Sequence, residues 1–439
     1  MGSRTTTLVC TALVLFGASG CSSAEKPVRI GVLADCSGLF AQSRELSLAA
    51  VSLPLIERGA RIADDGVVAG VQDATVAGRT VELIPECTEF TYVHRLVAAT
   101  RRLVEERHAE IVIGPIGSPD GFVFRELAAR FPDVTFLHGV TTSQEVTLRD
   151  APDNLFRFTP DGAQSLAGLG AYAYRDLGWR KAVVVGELFV DQWEAAAGFI
   201  AEFCSLGGAV VERDWSTLQY NPKPETTAHR HATKADGVVL LTDYTSPTAY
   251  LRAYRKAVER LPASLLVGGS WFSATESFRR QDGVDLRGVV RAGYIPLAPD
   301  AAGMREYKES FADAFPGLGA SAGDPLAVPR YTAMNAVLNA LEATGGELGH
   351  GQVAFRQALR SRETNAPFGA VKLDRNRQMT GHTYLERATA GAAGKTVMEP
   401  VRTLDGVEQS FDGIFTPASA PPSAVAPACV RGTLPPWAR

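Results

Sequence analysis

The stretch Val28-Arg-Ile-Gly-Val-Leu-Ala-Asp-Cys-Ser-Gly-Leu-Phe-Ala41 decides how the rest of the chain is read. Apart from Arg29, the run Val28–Ala34 is aliphatic or small and does not alternate with polar residues. That is the pattern of a strand buried on both faces of a parallel sheet. It runs straight into a Ser37-Gly38 turn. In open α/β sheets, ligands sit outside the carboxyl ends of the strands. The loop Asp35–Phe40, with Ser37 and Phe40 as its contacts, is therefore the first candidate piece of a binding site.

Downstream, the same unit repeats. A helix is expected over Ser43–Ala63, interrupted by Pro54, followed by a Gly/Val/Asp-rich connection over 64–78. Strands are expected at Thr80–Pro85, Glu110–Ile113 and Val134–Leu137, with helices Val93–Arg107 and Gly121–Arg130 between them. A second series follows: Asn154–Phe158 extended, Gln164–Leu177 helical, and strands at Lys181–Val185, Ala209–Arg213, Gly237–Leu241, Ser264–Val267 and Val289–Tyr294. Helices alternate with those strands at Gln192–Leu206, Thr226–Ala235 and Pro247–Leu261. Repeated β-α units specify doubly wound parallel sheets. Three helices then come without strands between them, Gly303–Phe315, Asp324–Ala343 and Val353–Ser361. They follow the second sheet yet need a surface to pack on, which implies that the chain crosses back to the first. Late strands are expected at Ala370–Leu373 and His382–Arg387, ahead of a Pro/Ala/Ser-rich tail, 416–439, of low structure propensity.

The 439 residues suggest two or three domains, and 46% apolar with 21% charged residues is an ordinary globular balance. A net charge of -4 gives no electrostatic reason to expect a nucleic-acid partner. No run of eighteen apolar residues follows the leader. The leader itself, 1–20, has Arg4, an apolar core Leu8–Phe16 and small residues before Cys21, and reads as a secretory signal. Its end, Ala18-Ser19-Gly20-Cys21, resembles the lipobox of bacterial lipoproteins, although Leu is commoner where Ala18 stands. That resemblance implies a lipid on Cys21, a linker over 21–26, and attachment to the outer face of the cell membrane.

Export bears on the cysteines. Cys36, Cys87, Cys204 and Cys429 form an even set in an oxidising compartment, which favours disulfides, and four cysteines allow three pairings. Cys36 follows the first strand and Cys87 the second, at one edge of one sheet. This favours Cys36–Cys87 and leaves Cys204–Cys429 to pin the tail. No Cys-x-x-Cys spacing supports a metal site, and no cofactor motif is present. His229-Arg-His231, in a polar helical stretch, reads as solvated surface. An enzyme has little support: Ile116 stands where a Gly-x-Ser-x-Gly elbow around Ser118 needs glycine, and no strand leads into a Walker A loop or a Gly-x-Gly-x-x-Gly turn.

Taken together, the pieces resemble the extracytoplasmic solute-binding proteins of branched-chain amino-acid (leucine-binding) ABC transporters, with the type I periplasmic-binding fold. The residues that carry the likeness are Val28–Ala34 with Ser37-Gly38 and Phe40-Ala41; Gly78-Arg79; Ile113-Gly114-Pro115 with Ser118; and Asn154–Arg157. Further along they are Leu241–Tyr244, Val267-Gly268-Gly269 and Tyr331–Ala336. The resemblance implies two Rossmann-like lobes joined by three crossovers, near Thr159-Pro160, Tyr294–Pro296 and Pro367–Gly369. One lobe would comprise 27–159 with 296–367, the other 160–295 with 368–415. It further implies a monomer that traps a small solute between closing lobes and hands it to ABC permease subunits. A ligand-sensing lipoprotein of the same fold, without a transport role, is the alternative.

For the site, the resemblance assigns a ligand carboxylate to Ser118 and to Val140-Thr141-Thr142. Hydroxyls and N–H groups at helix N-termini suit an anion, although Ser118 equally fits a plain helix cap and the threonines a polar turn. From the second lobe, Tyr244 matches a ligand-contacting position. Trp271 and Phe272 would wall the pocket or simply cover the sheet edge, and the same argument extends less strongly to Phe189 and Phe40. One departure matters: an amino-acid binder places an acid after the Gly-Gly strand to pair with the ammonium, and here Ser270 stands there. A buried ammonium without a carboxylate partner is costly, so Asp243, Asp35 or Asp120 would have to substitute, or the ligand is an amide, a carboxylate, an aromatic or another small polar or amphipathic solute.

Overall fold

The computed structural model describes Gly2 and residues 26–216, 221–273, 284–299, 301–392 and 395–439. Gly2 apart, the expected leader and Cys21 lie outside the described residues. β1 (Val28–Asp35) is buried along its length except at the half-buried Arg29. Ile30 and Val32 face one core while Leu33 faces the other, which explains the missing alternation. Each such side chain, fully buried, contributes roughly 1.5–3 kcal/mol.

A hairpin of β2 (Arg61–Ile62) and β3 (Val71–Gln72) follows, then β4 (Thr75–Val76), β5 (Arg79–Thr88), β6 (Ile111–Ile116), β7 (Thr135–Val140) and β8 (Leu155–Phe156). The first sheet runs β4-β5-β1-β6-β7-β8, and from β5 onward its neighbours are parallel. The second sheet holds β9 (Lys181–Gly186), β10 (Ala209–Trp215), β11 (Gly237–Leu241), β12 (Leu265–Gly268) and β13 (Val290–Gly293), all parallel. β14 (Thr364–Ala366), β15 (Gly369–Leu373), β16 (Met379–Ala390) and β17 (Thr396–Val407) extend it antiparallel beyond β13.

The chain crosses between the sheets three times. It leaves the first after β8 and returns after β13, because the helices Ala302–Ala314, Val328–Ala343 and Val353–Ser361 bury Phe311, Leu341 and Phe355 in the core under β1. It crosses again to reach β16, whose Leu385 lies in the core of the second sheet. Helices that cannot be absorbed by their own sheet thus do pack on the earlier one.

Both disulfides are in place. The parallel register of β1 and β5 sets Ala34 opposite Cys87, and Cys36 bonds to Cys87 with Cα atoms 5.3 Å apart. Cys204, in the last turn of the helix Val190–Ser205, bonds to Cys429 in the tail. The tail has one short helical turn, Pro436–Ala438, and is otherwise irregular. Its Trp437 stacks edge-on to Phe411 and donates to Glu202 Oε1 at 2.7 Å.

Four expectations need correction. The helix begun at Arg44 runs through Pro54 and ends at Ile56 rather than continuing to Ala63, because Gly59, with φ of +99°, turns the chain so that the Gly59 and Ala60 N–H groups bond back to the Ile56 and Leu55 carbonyls at 2.9 and 3.0 Å. The helix expected over Gln164–Leu177 is split at Gly168, whose φ of +82° places its missing Cβ against Leu404. β17 was not expected at all. It contains Pro400, which argues against a strand, but the proline sits at a register shift on an edge strand, where it is tolerated. Finally, His231 is not solvated surface. It shares a helix face with buried Ala228, is fully buried, and lies 2.9 Å from the Tyr250 hydroxyl. Glu212, Asp214 and His231 gather their ligand-type atoms within 4.8 Å of one another. Arg230 bridges both carboxylates at 2.9 and 2.8 Å and Lys234 pairs with Glu212 at 2.6 Å, so the group is a charge-compensated knot.

Candidate ligand-binding site

The carboxyl ends of both sheets meet around one cavity of about 820 Å³. The first sheet contributes Phe40 after β1, Ile116 and Gly117 at the end of β6, and Val140 and Thr142 at the end of β7. The second contributes Asp191 after β9, Asp243 and Tyr244 after β11, and Ser270, Trp271 and Ser273 after β12. The returning chain closes the remaining side with Leu297, Lys308 and the segment 319–321 and 323–326.

Of the expected contacts, Phe40, Val140, Thr142, Tyr244, Ser270 and Trp271 line this cavity. Ser118 lies directly behind it, fully buried at the start of the helix Ser118–Arg130. It does not cap that helix. Its hydroxyl donates to Asp191 Oδ1 at 2.6 Å and accepts the Ser143 N–H at 3.0 Å. Thr142 donates to the same Asp191 oxygen at 2.5 Å, and the Tyr244 hydroxyl donates to the other at 3.3 Å. Ser118 and Thr142, two of the donors that the resemblance reserves for a ligand carboxylate, are therefore engaged by the chain's own carboxylate, delivered by the opposite lobe.

Three expected residues fall away from the lining. Thr141 is buried and turns its hydroxyl to the Gly117 carbonyl at 3.3 Å. Ser37 donates to Glu89 at 2.5 Å and accepts from Arg95 at 2.7 Å. Phe189 is 38% exposed and packs against Tyr244 with ring centroids 5.2 Å apart.

Tyr244 is the aromatic hinge of the cleft, with Phe40 and Phe90 of the opposite lobe each 5.9 Å away. Gly117 makes room for Phe90: its φ is +78°, and a Cβ there would come 2.3 Å from the ring. The loop bearing Tyr244 is held by Glu187, which accepts the N–H groups of Asp243, Tyr244 and Thr245 at 3.0, 3.1 and 2.6 Å.

Beside Ser270, where the resemblance leads one to expect an acid, stands Asp243. Asp243 accepts the Ser270 N–H with one oxygen and the Gln192 amide with the other. Loss of solvent, reinforced by the charge of Asp191, pushes Asp243 up to about 7. The same burial, with Asp191 and Asp243 adding to it, raises the Tyr244 phenol well above its ordinary value. Asp35 and Asp120 are buried beneath the first lobe's loops and do not line the cavity. Asp191, Lys308, Asp324, Leu297, Leu326 and Phe90 carry no local sequence signal. Asp191 in particular reads as a routine acid in a first helical turn.

The family model of periplasmic binding proteins matches residues 27–393. The chain belongs to that family. Its members are extracytoplasmic solute-binding proteins without a catalytic role. No curated protein matches the sequence. Among solved structures, an ABC transporter substrate-binding protein from Sphaerobacter thermophilus superposes with a TM-score of 0.74 at 21% identity, covering 87% of this chain and 99% of that one. A solute-binding protein of an ABC transporter from R. palustris, in complex with benzoate, gives 0.67 at 18% identity over 88% and 98%. A leucine-binding protein from Thermotoga maritima gives 0.67 at 17% over 86% and 99%. These likenesses establish the two-lobed fold. Among the described residues no helix is long and apolar enough to cross a membrane.

Proposed function

We propose that this chain is the substrate-binding component of an ABC importer, which traps a small polar or amphipathic solute between its lobes and hands it to permease subunits. The carrying observation is the cavity of about 820 Å³ bounded by strand ends of both sheets. A volume in this range suits a small organic molecule, and a cleft between lobes lets ligand binding shift an opening equilibrium. In this reading the protein is a monomer of two lobes, 27–159 with 296–367 and 160–295 with 368–415. Residues 1–20 are a signal peptide, and Cys21 carries the lipid that holds the protein at the outer face of the membrane.

The test is a thermal-shift screen of the purified protein against amino acids, amides, carboxylates, amines and aromatic compounds. A ligand that binds only the native state raises the melting temperature, by mass action. At least one class should do so, and a screen in which no small solute shifts the transition sinks the reading.

A further inference from the structure

Resting on that reading of the cleft, we infer that its solute is a small organic amine with an apolar body and no carboxylate. The ammonium would sit between Asp191 and Asp243, beside Tyr244.

Two independent features point this way. The first is that three hydroxyl donors at this end of the cleft are already engaged. Ser118, Thr142 and Tyr244 all give their hydroxyl hydrogens to Asp191. A ligand carboxylate entering there would meet a fixed negative charge and no free hydroxyl donor among these three. A structural neighbour was solved in complex with benzoate, a carboxylate compound; the solute inferred here is of the opposite charge.

The second feature is the charge of the lining. Among the described residues the cavity presents three carboxylates, Asp191, Asp243 and Asp324, against one ammonium, Lys308. Neither Asp191 nor Asp243 has a cation within ion-pair reach among the described residues, although both are tied by neutral donors. Glu187 adds a further acid behind the loop that carries Asp243. Buried carboxylates without a cation are costly, and a bound cation relieves that cost. The rest of the lining is apolar and aromatic: Phe40, Ile116, Val140, Trp271, Leu297 and Leu326. An ammonium near the tyrosine face and an alkyl or aryl tail along these walls satisfies both halves, with cation–π attraction adding to the charge pairing.

Calorimetric titration of the purified protein with matched series separates the possibilities: 2-phenylethylamine, 3-phenylpropionate and phenylalanine, then isoamylamine, 4-methylpentanoate and leucine. The expected result is an amine that binds at least tenfold more tightly than its matched carboxylate and amino acid. Asp191→Asn and Asp243→Asn should each weaken that amine at least tenfold while leaving the far-ultraviolet circular dichroism spectrum unchanged. A carboxylate or amino acid that binds as tightly as its amine overturns the amine assignment and leaves the cleft as a solute site. If no member of either series binds while the broad screen yields a ligand of another class, the amine assignment alone falls. If that screen is also empty, both readings fall. Should either variant not fold, the wild-type selectivity decides.

Discussion

Ser118 on one lobe donates its hydroxyl hydrogen to Asp191 on the other, with the two oxygens 2.6 Å apart. Both residues are buried, at 0% and 4% exposure, so the bond lies where water does not compete. Thr142 reaches the same carboxylate oxygen. Together they form a polar catch across the cleft. A hydrogen bond to a charged group contributes about 1.5–3 kcal/mol. Ser118→Ala should therefore favour separation of the lobes and lower the melting temperature by a few degrees. Small-angle scattering should report a larger radius of gyration for the variant; identical scattering and melting curves would show that the catch does nothing.

Tyr244 supplies the apolar counterpart of that catch. Its ring meets Phe40 and Phe90 from the opposite lobe and Phe189 from its own. Aromatic pairs of this kind contribute about 0.5–1.5 kcal/mol each beyond burial. Tyr244→Ala should weaken solute binding at least tenfold, which corresponds to about 1.4 kcal/mol. Tyr244→Phe should retain most of the affinity, because the ring contacts remain and only the 3.3 Å bond to Asp191 is lost. Titration of both variants against one ligand from the screen distinguishes ring from hydroxyl. Equal losses in the two variants would assign the role to the hydroxyl instead.

How much of this could be read from the chain alone follows from where each signal resides. Strands such as Val28–Asp35 and Gly237–Leu241 announce themselves because a parallel strand covered on both faces needs an unbroken apolar run. Residues just past those runs, Phe40, Tyr244 and Trp271, were legible as site candidates because the sheet points its strand ends at the ligand. Asp191 was not, because an acid in a first helical turn usually answers the helix dipole. Only the meeting of the two lobes gives it three hydroxyl partners. Lys308, in the helix Ala302–Ala314, and Asp324, in the connection before the helix Val328–Ala343, come from the chain that returns from the second lobe, where sequence distance hides spatial nearness. β17 was masked by Pro400, whose acceptability depends on a bulge that local pattern does not encode.

Glu194 offers a pH test of the buried interface between the lobes. It is fully buried, accepts the Ser143 hydroxyl at 2.8 Å, and burial pushes its carboxyl up to about 8, with Asp161 adding to the effect. Because the folded state holds this proton to higher pH than the unfolded chain, Glu194 costs nothing below the ordinary carboxylate range. Its penalty grows as pH rises from about 4.5 to about 8 and is then complete. Asp161, raised to about 6 by burial, and Glu202, raised to about 7 by burial, act in the same direction over lower windows. The melting temperature should fall by several degrees between pH 5 and pH 8.5, and Glu194→Gln should flatten that slope. A slope of the same steepness in the variant would remove Glu194 from the account.

The two disulfides restrain different things, and separate deletions should show it. Cys36–Cys87 joins the ends of β1 and β5, strands already held by eight register pairs, and it closes a separation of 51 residues. Cys204–Cys429 closes 225 residues and fastens a tail with no strand of its own. Chain-entropy reasoning gives the longer closure the larger effect, roughly 5 kcal/mol against roughly 4, with typical measured values about 2–4 kcal/mol. Local support works in the same direction. Without Cys429, the tail keeps non-covalent contacts: Trp215 to the Ala424 carbonyl and Trp437 to Glu202, each 2.8 Å or shorter, the stacking of Trp437 on Phe411, and bonds from Arg149, Arg213 and Arg175 to tail carbonyls. Cys429→Ser in a Cys204→Ser background should therefore lower the urea midpoint more than Cys36→Ser with Cys87→Ser. It should also open the segment 416–439 to limited proteolysis while the body stays resistant. If the tail remains uncleaved and the midpoint shifts less than in the first-lobe pair, the non-covalent contacts hold the tail by themselves and the long-loop argument does not apply here.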